Sequence, residues 1–124
     1  MKLFENNLPI EQQNKIRQMF FERHKIPQNV RVFFERNDYG LIAESEKNLD
    51  VAVNLYEQNL SEFPKTYFPL KRLMVIYRKL KKFEDELRII NLFLSSRQNS
   101  NRKAEIIKMI KRRDRVLSLL EKQN

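Results

Sequence analysis

The chain has 124 residues, 41% of them apolar and 33% charged, with a net charge of +9, one glycine and no cysteine. The length suits one domain of ordinary size, and the apolar share permits a packed core. Without cysteine there is no disulfide framework, thiol chemistry or zinc finger, and with Gly40 as the only glycine a glycine-rich phosphate loop is excluded.

The charge is unevenly placed. Residues 1–66 carry 9 basic and 10 acidic groups, whereas residues 67–124 carry 16 basic and 6 acidic groups. The second half suits either an anionic partner, whether nucleic acid, an acidic protein segment or a lipid surface, or simply a solvated surface. The opening "MKLFENNLPI" lacks the apolar run of a signal peptide, and no run of 18 apolar residues occurs anywhere. A cytoplasmic protein without membrane contact is expected.

In chain order, the first helix is expected over about Pro9 to His24, preceded by Asn7 or Leu8. Pro9 suits its first turn, and Ile16, Met19 and Phe20 supply an apolar stripe. Pro27 discourages its continuation. In "NVRVFFER" (29–36), Val30, Val32 and Phe34 alternate like a short strand, but Phe33 breaks the alternation. The stretch reads as an extended or partly helical connection. "NDYG" (37–40) reads as a turn, or as a helix start capped by Asn37.

A helix is expected at about 38–47, and a second at 49–63 behind Asn48. Ala52, Leu55, Tyr56, Leu60 and Phe63 share one face of the second helix. Pro64 stops it. Another pair follows: a helix from about Thr66, with Pro69 in its first turn, and a partner over 83–96. Leu70, Leu73, Ile76, Tyr77 and Leu80 form the stripe of the former; Phe83, Leu87, Ile90 and Leu94 form that of the latter. "SSRQNSN" (95–101) is a polar break. A last helix is expected over 102–121, capped by Ser100 or Asn101, with a wide apolar stripe that predicts docking on the rest of the chain.

Sliding the chain by 34 residues superposes the two pairs. Tyr39 falls on Leu73, Ile42 on Ile76, Leu49 on Phe83, Tyr56 on Ile90 and Leu60 on Leu94; nine apolar residues recur in all, in register with the breaks. The offset reaches weakly into the last helix, from Leu73 to Ile107 and from Ile76 to Ile110. In "EFPKTYFPLKR" (62–72), Pro64 ends one unit and Pro69 opens the next.

On these residues the sequence resembles the tetratricopeptide repeat family, whose period is 34 residues with two antiparallel helices per repeat. "LDVAVNLYEQNLSEFP" is the stretch most like it: Ala52 is the small residue, Tyr56 the aromatic four later, and Pro64 the closing proline. Tyr39 and Gly40 match the large-then-small pair of the first helix. The second unit departs from the pattern at Met74, Glu86 and Ile90. The resemblance covers about 36–98. It implies an all-α fold of stacked helical hairpins in a short right-handed superhelix. The expected organisation is a single domain: an N-terminal capping helix and connection (1–35), two hairpins (36–98) and a basic C-terminal capping helix (99–124).

The resemblance also implies a concave groove lined by the first helix of each hairpin. Phe34, Asn37, Leu41, Glu44 and Ser45 would face it from the first hairpin. Phe68, Lys71, Val75, Arg78 and Lys79 would face it from the second. The second set is basic with apolar elements, which suits an acidic peptide segment. The cations of "RKLKK" (78–82) also favour the helix dipole. Independently, Lys108, Lys111, Arg112, Arg115 and Lys122 lie at helical spacing on the last helix, a stripe suited either to phosphates or to solvent.

Little in the sequence points to catalysis. His24, the only histidine, sits at a helix end, and Glu84 and Glu86 occupy a helical first turn where acids are ordinary. The expectation is a non-catalytic interaction module with no cofactor or metal. The alternative is a nucleic-acid-associated accessory protein using the basic C-terminal helix. A homodimer pairing the trailing edges is a third possibility.

Overall fold

The computed structural model of the chain describes residues 9–97 and 101–123. Every regular element among them is a helix: α1 (Ile10–His24), α2 (Gln28–Ser45), α3 (Leu49–Glu62), α4 (Tyr67–Lys79), α5 (Phe83–Ser96) and α6 (Lys103–Gln123). The chain divides into two compact units, Met1–Leu55 and Tyr56–Asn124, with the division falling inside α3.

In the first unit, α1 packs on α2. Pro9 and Pro27 sit immediately before these helices with extended backbone, where the missing N–H and the fixed φ cost least. The contact is partly aromatic and partly ionic. Phe21 is buried, with its ring centroid 5.5 Å from that of Phe34. Arg17, also buried, pairs with Asp38 and lies 5.0 Å from the Phe34 ring. Arg31 donates to the backbone carbonyls of Phe21 (3.2 Å) and Ile26 (3.0 Å), tying α2 to the end of α1.

This corrects two sequence expectations. Residues 29–36 are neither extended nor a connection but the first half of α2, which begins at Gln28 rather than 38. "NDYG" is mid-helix, neither turn nor cap. Tertiary contacts override local preference here: the alternating Val and Phe residues and the buried Asp38 are held helical by α1. The expected boundary at 35/36 consequently falls within α2. The Ser100 cap and the residues before Pro9 lie outside the described residues.

The other elements lie close to expectation. The start and stop of α5 agree with the periodicity. α4 follows Thr66, which donates its hydroxyl to the Phe63 carbonyl at 2.7 Å, and Pro69 occupies the third helical position. In the second unit α5 packs against both α4 and α6. Its core is built from Leu70, Leu73 and Ile76 on α4, Ile89, Ile90 and Phe93 on α5, and Val116 on α6, all fully buried. Each such side chain contributes about 1.5–3 kcal/mol relative to exposure.

The 34-residue offset reappears in the backbone. α3 and α5 start and stop 34 residues apart, at Leu49 and Phe83 and at Glu62 and Ser96; α2 and α4 end 34 apart, at Ser45 and Lys79. The turns between them match bond for bond. Lys47 N–H donates to Glu44 and Lys81 N–H to Arg78; Asn48 N–H donates to Ala43 at 2.8 Å and Lys82 N–H to Tyr77 at 2.9 Å. Lys47 and Lys81 both take the left-handed conformation, with φ of 61° and 57°. This is the Schellman arrangement of a helix C-terminus. Lys25 ends α1 in the same way, so the recurrence lies in the shared spacing and the equal length of α3 and α5 rather than in the turn alone. Burial recurs less faithfully: Tyr39 is 53% exposed, whereas its counterpart Leu73 is 0% exposed.

Candidate binding cleft

A cleft of about 490 Å³ opens between α4 and α6, within the range of ligand pockets. The residues that build it come from two helices linked through a buried carboxylate on a third. Glu86, on α5, is 0% exposed. Its Oε1 accepts from Arg78 Nε at 2.7 Å, and its Oε2 accepts from Arg112 Nε at 2.9 Å. Arg112 Nη2 also donates to the Met74 carbonyl at 3.1 Å. One carboxylate thus connects α4, α5 and α6. A buried carboxylate is stable only with such compensation.

The cleft has an apolar floor and a charged rim. Met74 and Val75 of α4 face Ala104 and Met109 of α6. Lys71 and Lys108 supply positive charge, Arg112 is engaged by Glu86 and the Met74 carbonyl, and Glu105 is the one acid among the lining residues. Tyr67 closes one end. Its ring lies 5.2 Å from Lys71 Nζ and 5.5 Å from Arg97 Cζ, both within cation–π range. Arg97 is fixed in turn by the Phe93 ring (4.6 Å) and by Glu105 (3.7 Å). This tyrosine is therefore steadied from several sides while remaining partly exposed. The arrangement can receive an apolar side chain on its floor and a carboxylate at its rim.

The expected groove residues separate. Lys71 and Val75 line the cleft. Arg78 is on the same helix, but its Nε is spent on Glu86. Lys79 is exposed at the end of α4. Phe68 turns towards Tyr56, with ring centroids 6.0 Å apart. Leu41 and Glu44 are half-buried on α2, in the first unit. Phe34 is committed to the α1–α2 contact, Asn37 is buried, and Ser45 donates to the Ile42 carbonyl at 2.6 Å.

The expected basic stripe separates too. Lys108 and Arg112 enter the cleft beside Lys71, which joins two sets of residues that the sequence reading kept apart. Lys111, Arg115 and Lys122 stay on the exposed side of α6. Sequence reasoning missed Tyr67, Met74, Glu105 and Met109 as cleft residues, and took Glu86 for an ordinary acid of a helical first turn. A signal for Glu86 was present: it lies three residues after Phe83 and four before Ile90, on the apolar face of α5. Arg78 and Arg112 also stand 34 residues apart.

Among the described residues no cluster of three or more His, Asp or Glu side chains is placed to hold a metal ion, and no helix is long and apolar enough to cross a membrane. No protein-family model, curated protein or solved structure matches the chain.

Proposed function

We propose that the protein is a tetratricopeptide-like interaction module that holds an acidic segment of a partner protein in the α4–α6 cleft, without catalysis. The observation that carries this reading is the composition of the cleft: two lysines and an arginine around a floor of methionine, valine and alanine. The recurrence of helix ends and turn hydrogen bonds at 34 residues supports the repeat character. The family likeness itself rests on the sequence pattern.

An acidic segment gains from both parts of the site. A carboxylate beside Lys71 and Lys108 forms charge-assisted bonds, and an adjacent Leu or Phe covers the floor. Selecting a random peptide library on the immobilised protein tests this. Sequences carrying Asp or Glu next to a large apolar residue should be enriched. Binding of the selected peptides should fall at least tenfold in the Lys71→Glu/Lys108→Glu double variant. Peptides without acidic character, or binding indifferent to both reversals, would reject the cleft as the site.

The exposed Lys111, Arg115 and Lys122 favour a second reading, contact with nucleic acid. It predicts binding to DNA or RNA that weakens steeply with salt. Absence of such binding at low salt removes it.

A further inference from the structure

The cleft contains a rival to any acidic ligand. Glu105 is the one acid among its lining residues, and it stands three residues before Lys108 on the same side of α6. Left uncompensated, its carboxylate would repel an incoming acid and draw Lys108 into a pair of its own. Two arginines meet it. Arg102 Nη1 lies 3.6 Å from Oε2, but that arginine side chain is 79% exposed, and so solvated a pair contributes little. Arg97 Nε lies 3.7 Å from Oε1, and the side chains of this pair are only 19% and 20% exposed. Arg97 is also held in place by other contacts. Its Cζ sits 4.6 Å from the ring of the fully buried Phe93 and 5.5 Å from the Tyr67 ring, and its Nη1 donates to Ser96 Oγ at 2.6 Å. The guanidinium therefore stays beside Glu105 whatever the strength of the ion pair itself. With Glu105 answered in this way, two cations remain for a ligand: among the described residues neither Lys71 nor Lys108 has a carboxylate partner.

We propose that Arg97, which does not itself line the cleft, sets the selectivity of the cleft for acidic ligands. By neutralising Glu105 it leaves both lysines to the ligand, so a segment with two acidic residues is preferred to a segment with one. This deepens the proposed function and rests on it. Arg97 is a positioning residue: it acts through Glu105 and not by touching the ligand. The charges at the site give the expected balance. In the wild type Arg97 and Glu105 cancel, and Lys71 and Lys108 act. Without the Arg97 charge, Glu105 offsets one of the lysines, Lys108 being its neighbour on α6. Arg112 does not make up the loss, because Glu86 and the Met74 carbonyl engage it.

The probes are short capped peptides containing leucine and two, one or no glutamates, with glutamine in the vacated places, titrated into the full chain by NMR. In the wild type, affinity should rise with each glutamate. Arg97→Gln should lower affinity about fivefold for the diglutamate peptide and about twofold for the monoglutamate peptide, and leave the uncharged peptide unaffected. Arg97→Lys keeps the charge and should keep most of the preference. Glu105→Gln should steepen the preference, and Arg97→Gln/Glu105→Gln should return it to the wild-type value, because the cancelling pair is then lost as a whole. Lys79→Gln removes an equal charge at the exposed end of α4, outside the cleft, and should change nothing. The preference is a ratio between peptides on one protein, so a general loosening of the fold does not move it. Four outcomes overturn the inference and leave the cleft reading standing: a wild type that binds one and two glutamates alike; Arg97→Gln weakening all three peptides equally, or none; no recovery in the double variant; or an equal effect of Lys79→Gln, which would reduce the effect to net charge. A wild type with no preference for glutamate, or binding that Lys71→Glu/Lys108→Glu leaves unchanged, would remove the cleft reading and this inference with it.

Discussion

Replacing Glu86 with alanine removes the one carboxylate between Arg78 and Arg112, and both guanidiniums are only about a third exposed. Breaking a buried ionic cluster in this way should destabilise the protein by about 3 kcal/mol, measured by urea unfolding. Removing one arginine is a smaller event, because the other still compensates the carboxylate; Arg78→Ala and Arg112→Ala should each cost about 1 kcal/mol. The double variant strands Glu86 without a partner and should cost clearly more than the sum of the two. Equal and additive losses would mean that the cluster contributes only packing. Tyr77 offers a second test. Its hydroxyl donates to Glu57, which Arg88 also engages. Burial, and then the Glu57 carboxylate, push the phenol well above its ordinary value near 10. A raised folded-state pKa gives stability that is complete below the unfolded value and lost as pH rises through the folded one. The stability advantage of the wild type over Tyr77→Phe should therefore be about 1 kcal/mol at neutral pH, and should shrink above about pH 10. An advantage constant to pH 11 would contradict this account of Tyr77.

At the scale of the element, Lys47 and Lys81 sit in left-handed turns, a conformation that costs a residue with a β-carbon about 1 kcal/mol. Lys47→Gly and Lys81→Gly should each raise stability by about 0.5–1 kcal/mol, and their effects should add, since the two turns are separate in sequence and share no hydrogen bond. A loss of stability at either site would show that the lysine side chain carries a contact worth more than the backbone relief. These turns were legible as breaks in the apolar pattern, but not as a left-handed lysine, because glycine is the usual signal and is absent there. α5 was legible almost to the residue: Phe83, Ile90 and Leu94 mark its face, and acids mark its start. α2 was not. Its β-branched and aromatic residues alternate over a short span, Gly40 lies inside it, and its helical state depends on Arg17 and Phe21 from α1, which no local window contains. Lys71, Val75, Lys108 and Arg112 were singled out from the sequence. Their meeting was not, because it requires knowing that α6 lies beside α4 and that Glu86 fixes it there.

For the whole molecule, on the proposed binding reading, the excess of positive charge in the second half acts on approach, and the cleft acts on residence. Association with an acidic segment should slow as salt rises from 50 to 500 mM, because the Debye length then falls from above 10 Å to a few Å, while dissociation should change little. Stopped-flow kinetics separates the two; a dissociation rate that rises as steeply as association falls would mean that the contact is only peripheral charge. The most direct test of the binding reading is an amide NMR titration of the full chain with an acidic peptide selected on it. Shifts should concentrate at Lys71, Val75, Lys108 and Met109 and disappear in Lys71→Glu/Lys108→Glu. Shifts centred on α2 or on the exposed side of α6, with the cleft unmoved, would contradict it.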